Sequence, residues 1–151
     1  PMNEVILNST RHLTEADTMA MATYLKSLPP NEGKVGKPAS AEELKAGESH
    51  YNLHCGTCHQ PSGLGALSED AGANLVGNPM VQASNPASLI NVILYGPHLA
   101  KLPGPKRWKD MPNNFGEKLS DEEVALIASY MRNAWGNVGG AVTEKQVAQQ
   151  R

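Results

Sequence analysis

Apolar positions recur at helical spacing in four stretches of the chain, and alternating strand-like runs are almost absent. In LTEADTMAMATYLKSLPP, Thr14 is placed to cap a helix reaching about Leu28, with Asp17 as the acid of a capping box and Pro29 and Pro30 as the stop. Ser40 with Glu43 opens a second helix, which brings Leu44, Gly47, Tyr51 and His54 onto one face at helical spacing. Asn85 followed by Pro86 starts ASLINVILY, with Gly96 ending it. Ser120 with Glu123 starts SDEEVALIASYMRNAW, closed by Gly136. NEGKVGKPAS reads as a linker and VGGAVTEKQVAQQR as a flexible polar tail. The fold expected is all-α, and the long irregular segments between its helices imply function or support from something other than secondary structure.

Composition narrows this. A chain of 151 residues makes one main core the default. A net charge of -2 argues against a nucleic-acid binder, which normally shows a strongly basic face. Aromatic residues make up 5% of the chain and Phe115 is its one phenylalanine, so the core is short of bulky fillers and something else is expected to fill part of it. No apolar run approaches the roughly 20 residues that cross a bilayer, so no span is expected, and any export signal is expected to lie outside these residues.

Candidate chemistry centres on Cys55-Gly56-Thr57-Cys58-His59, which holds both cysteines of the chain. A thioredoxin-like dithiol would follow a strand, whereas this motif follows a helix. A structural zinc would need a second pair of ligands at matching spacing, and none is visible. Attachment of a c-type haem uses all three residues: each thiol adds to a vinyl group and the adjacent histidine is brought under the iron. It also accounts for the scarcity of aromatic filler, because haem is itself a large flat apolar body.

A second strong ligand on the iron favours electron transfer, whereas an open sixth position binds small molecules. Of six methionines, Met19, Met21 and Met131 lie in predicted helices and read as core or surface filler, Met2 lies near the start, and Met80 reads as packing ahead of a helix. Met111 stands in KRWKDMPNNF between two helices, with Pro112 restricting its backbone and Phe115 able to cover it, and is the favoured distal ligand. His98 is the rival, and a bis-histidine haem would have a lower potential. His12 and His50 read as solvated helix-end residues, and His54 as packing beside the attachment turn. A haem enzyme or ligand-binding cytochrome with a labile sixth ligand stays open, as does a free-standing monohaem carrier.

The order of a helix, CGTCH, a Gly-rich loop, a middle helix, a Met-Pro segment and a final helix with Tyr130 resembles a class I cytochrome c domain. The resemblance implies that fold around one covalent haem c per chain, held through Cys55 and Cys58 with His59 and Met111 on the iron. It implies a right-angle crossing of first and last helices, with Gly47 or Ala46 on Tyr130 and Tyr51 beside them. It further implies that His59 donates its other ring nitrogen to a backbone carbonyl, for which Pro61 is the candidate. Asn74 and Trp108 are candidates for contacts to the haem propionates.

NLVGNP, SLINVILYG, DMPNNFGEKLSDEEVALIASYMRNAWGN and STRHLTEADTMAMATYLKSLPP extend the likeness over essentially the whole chain. They are similar to the cytochrome c subunits of bacterial membrane-bound dehydrogenases, which carry three haem c domains in tandem. That resemblance implies an electron-transfer subunit that transforms no substrate itself. Its donor would be a dehydrogenase acting on alcohols, aldehydes or sugars, and its acceptor a quinone, another cytochrome or an oxidase, in the periplasm. Gly72 and Ala73 depart from the pattern, standing where members often have an aromatic residue and a proline. Lys101, Lys106, Arg107 and Lys109 are candidates for steering an acidic partner.

LTEADTMAMATYLKSLP also aligns with LSDEEVALIASYMRNAW, pairing Leu13 with Leu119, Thr14 with Ser120, Asp17 with Glu123, Ala22 with Ala128, Tyr24 with Tyr130 and Lys26 with Arg132. Any capped amphipathic helix aligns partly in this way. The expected organisation is residues 1–30 as the final helix of a preceding cytochrome domain, 31–40 as linker, 41–136 as the cytochrome c domain and 137–151 as the tail. Met2 would then stand where Met111 stands in the intact domain.

Overall fold

Four helices start on the same device. In a computed structural model describing residues 3–29, 36–65, 71–97, 111 and 115–151, reciprocal capping boxes form at Thr14/Asp17, Ser40/Glu43, Ser120/Glu123 and Thr143/Gln146. Each gives two otherwise unpaired backbone N–H groups an acceptor. The backbone N–H of Ser40 and of Ser120 holds Glu43 and Glu123 below the usual glutamate range. Because these folded pKa values are depressed, the caps contribute above the unfolded pKa and are lost as pH falls.

The described residues fall into two units. One contains α1 (Asn3–Asn8), a 3-10 turn at Thr10–His12 and α2 (Glu15–Ser27). None of the residues of α2 is buried; Met19 is 62% exposed, Tyr24 65% and Leu25 62%.

The other unit is built on α3 (Ala41–His54), α4 (Gly56–His59), α5 (Pro79–Gln82), α6 (Ala87–Tyr95), α7 (Phe115–Lys118), α8 (Asp121–Asn133) and α9 (Glu144–Ala148), with no strand among the described residues. Its core joins Tyr51 of α3, Leu89, Ile90, Ile93 and Leu94 of α6, and Val124, Ile127, Ala128 and Met131 of α8. Helices α3 and α8 meet at Gly47, where an added Cβ would stand 2.8 Å from the Tyr130 Cβ and closer still to the Leu126 carbonyl. Beside that crossing, Tyr51, Tyr130 and Trp135 pack with ring centroids 5.1–5.3 Å apart. Helix α8 stops three residues before Gly136, since Ala134 is already extended and Trp135 and Gly136 both take positive φ, at 56° and 84°.

The sequence at 137–151 reads as a flexible tail, and the structure packs it. Val142 and Val147 are buried, Ser129 Oγ accepts from Val142 N at 2.8 Å, and α9 is capped by Thr143. The three valines of this polar stretch show no helical period, yet Val142 and Val147 reach the core while Val138 stays exposed. The stretch also meets the expected linker, because Ala141 N donates to the Lys37 carbonyl at 2.8 Å. Arg132, 2% exposed, donates to the carbonyls of Val81, Ala83 and Gly140 at 2.7–2.8 Å and so ties α8 to α5 and to this stretch. Burial lowers its pKa, and the three carbonyls supply the acceptors a buried guanidinium needs.

Candidate haem site

Helix α3 runs almost directly into the CGTCH turn. Cys55 N donates to Tyr51 O at 2.8 Å, and Cys58 N and His59 N both donate to Cys55 O, at 3.1 and 2.9 Å. The two thiols and the imidazole therefore share one helical turn, Cys58 and His59 standing three and four positions after Cys55. All three side chains are half-buried and neither cysteine is in a disulfide.

Two returning strands of loop close on this turn. Gly72 N donates to Cys58 O at 2.7 Å and Gly65 N to His59 O at 3.0 Å. His59 Nδ1 is 2.8 Å from the Ala73 carbonyl. A carbonyl only accepts, so Nδ1 carries the proton and Nε2 keeps its lone pair for a metal. Gly72 lies against the same ring, where a Cβ would stand 2.6 Å from Nδ1.

Pro61 is thus not the acceptor expected for His59. Gln60, at φ 62°, turns the chain, and the Pro61 carbonyl accepts instead from Trp135 Nε1 at 2.9 Å. Tyr51 Oη donates to Gln60 O at 2.8 Å, and Gly63 packs under the Trp135 ring, where a Cβ would be 2.5 Å from Cε3. The aromatic cluster of the helix crossing and the turn below His59 are therefore one packed unit. Ala73 was invisible in the sequence as a partner because any residue offers a carbonyl, and it lies 14 positions from His59. Gly72 is the one signal there, and it stands where the resemblance expects an aromatic residue.

Burial, with the neighbouring Cys58 second, pushes the Cys55 thiol up to about 12. A dithiol redox centre needs a lowered thiol pKa, so this environment opposes that chemistry. Among the described residues no group of three or more His, Cys, Asp and Glu side chains is gathered to hold a metal ion.

Met111 is half-buried and packs on the core cluster, as Cys55 does. Asn74 is exposed; its Oδ1 accepts from Val76 N at 2.8 Å, building a turn rather than a free polar arm. Met80 is exposed on α5 instead of packed. His54 faces the Phe115 ring at 6.2 Å, and His50 Nδ1 is 3.7 Å from Glu123. Met2, His98, Trp108 and the cations Lys101, Lys106, Arg107 and Lys109 lie outside the described residues.

Residues 42–131, well over half of the chain, match the family model described as "Cytochrome C oxidase, cbb3-type, subunit III". The chain belongs to this cytochrome c family. Its fold is the all-α class I cytochrome c fold, and the cofactor of that family is a covalently bound haem c. Among curated proteins, the chain is 34% identical over 99% of its length to the cytochrome c subunit of a quinone alcohol dehydrogenase from Gluconacetobacter polyoxogenes, 34% of which is covered. It is 33% identical over 99% of its length to the gluconate 2-dehydrogenase cytochrome c subunit of Pantoea cypripedii and 31% identical over all of it to the fructose dehydrogenase cytochrome subunit of Gluconobacter japonicus, covering 36% of each. The chain spans about a third of the length of these relatives.

The residues present fit a haem c. Two free thiols and a histidine with its tautomer set share one turn, and a glycine keeps the ring's flank clear. Gly72→Ala is expected to push the ring off Ala73 and lower stability by roughly 2 kcal/mol, combining overpacking with a lost hydrogen bond. A urea unfolding midpoint equal to wild type would contradict this.

Proposed function

We propose that this chain carries electrons one at a time through a single haem c attached at Cys55 and Cys58 and ligated by His59 and Met111, as a relay in a multihaem dehydrogenase subunit of the periplasm. The observation that carries the reading is the 2.8 Å bond between His59 Nδ1 and Ala73 O, which aims Nε2 away from the backbone as an iron ligand. When bound, haem c supplies an Fe(III)/Fe(II) couple. The two cysteines keep that group from dissociating, Ala73 holds the His59 tautomer and makes the imidazole a better donor, and Met111 offers a neutral thioether. The Met111 side of the reading is supported by its packing on the cluster that Cys55 also touches. The relatives' names support a dehydrogenase as donor; a quinone, another cytochrome or an oxidase would accept the electron.

The opening unit supports the multihaem arrangement. Helices α2 and α8 are each 13 residues long, begin on equivalent capping boxes and coincide end to end in the internal alignment. Ala125, Ile127 and Met131 are buried in α8, whereas their counterparts Met19, Met21 and Leu25 are exposed. A helix made to close a cytochrome core and left without one is what residues 1–30 would be as the end of a preceding domain. Intact mass after expression with covalent haem attachment tests the assignment. One haem per chain of 151 residues is expected; none, or two, would overturn it.

A further inference from the structure

We propose that Gln150 and Arg151 are positioning residues for Met111, fastening together the two flanks of the segment that carries it; this rests on Met111 being the distal ligand. On the α6 flank, Asn91 Nδ2 donates to Gln150 Oε1 at 2.8 Å and Tyr95 Oη donates to the Gln150 carbonyl at 2.9 Å. On the other flank, the Arg151 guanidinium donates to the Leu119 carbonyl at 2.6 Å, to the Gly116 carbonyl, and to the Asp121 carboxylate at 2.5 Å. The flanks already touch, because a Cβ on Gly116 would be 3.0 Å from the Leu94 carbonyl. Residues 150 and 151 project from an anchored base, since Val147 of α9 is fully buried.

Met111 lies in sequence between these two flanks, four residues before α7. A methionine sulfur is a weak ligand, so the fraction bound depends on how firmly its backbone is held. Residues 150 and 151 are thus held by Asn91 and Tyr95 of α6 on one side and by Gly116, Leu119 and Asp121 on the other, and α7 cannot swing from α6 without breaking one set of these bonds. A guanidinium spanning two carbonyls and a carboxylate is a directional clamp that lysine reproduces only in part.

The test uses ferric, haem-loaded protein and imidazole, which binds iron only where methionine has left. Arg151→Ala is expected to raise the apparent imidazole affinity roughly tenfold, because that affinity scales with the methionine-free fraction. Arg151→Lys should fall between, and Tyr95→Phe, which removes one hydroxyl, should give roughly threefold. Amide exchange at residues 116–120 should quicken in parallel. Wild-type imidazole affinity in Arg151→Ala, or a lowered urea midpoint with that affinity unchanged, would overturn the proposal. If wild type lacks the far-red band of methionine-bound ferric haem, the ligand assignment itself fails; exchange at residues 116–120 still reports whether Arg151 fastens the flank.

Discussion

Gly47→Val is expected to destabilise the protein by more than about 4 kcal/mol, a large part of the 5–15 kcal/mol that holds an ordinary domain together. Glycine inside a helix costs roughly 0.5–1 kcal/mol relative to alanine, so α3 accepts a local penalty at this position. The compensation is the approach of α8, whose Tyr130 Cβ would lie 2.8 Å from a Cβ on residue 47 and whose Leu126 carbonyl would be nearer. Neither obstacle is the free end of a flexible side chain, so a larger residue must move one helix off the other. That separation would open the interface around Tyr51, which is fully buried, and loosen the Tyr51–Gln60 bond below the attachment turn. Gly47→Ala should already cost about 2–3 kcal/mol. Urea unfolding followed by circular dichroism measures both, and a valine variant within 1 kcal/mol of wild type would show that the crossing is not close-packed.

Those parts of the fold that depend on local rules were legible in the sequence. Thr14, Ser40 and Ser120 each begin a helix, and Leu44, Gly47, Tyr51 and His54 lie on the less exposed side of α3, because capping and helical period are properties of neighbouring residues. The Gly47–Tyr130 contact was legible through the resemblance to cytochrome c rather than through spacing. What could not be read were partners supplied by backbone or by distant turns. The acceptor for His59 is a carbonyl, identical on every residue, and only the folded path selects Ala73 over Pro61. The tail differs for a related reason: TEKQVAQQR is polar by composition, yet Val147 is the buried residue of its helix, and Thr143 with Gln146 caps it with the same reciprocal bonds as the other boxes. The Thr-x-x-Gln pattern was a readable signal for α9. The grip of Arg151 on α7 and α8 was not, since it joins positions 30 to 35 apart.

Met111→Ala is expected to remove the far-red band of the ferric protein and lower the reduction potential by on the order of 0.1–0.3 V, within the roughly 0.8 V that axial ligation can move a haem. The thioether is neutral and soft, so it favours Fe(II) relative to water or hydroxide, and its loss withdraws that preference. Met111 is only half-buried, so truncation should cost roughly 1–2 kcal/mol of folding stability and leave the helices intact. A potential change can then be read without unfolding. Each 0.1 V is about 2.3 kcal/mol for one electron, or roughly fiftyfold in the equilibrium with a fixed redox partner. A relay passing electrons between a dehydrogenase and its acceptor would stall on such a step, whereas a ligand-binding cytochrome would lose little. Met80→Ala is the matched control: Met80 is exposed on α5, and its removal should leave band and potential as in wild type. Spectra and redox titrations of the two variants separate the alternatives, because a band that survives in Met111→Ala or disappears in Met80→Ala would assign the iron to another ligand.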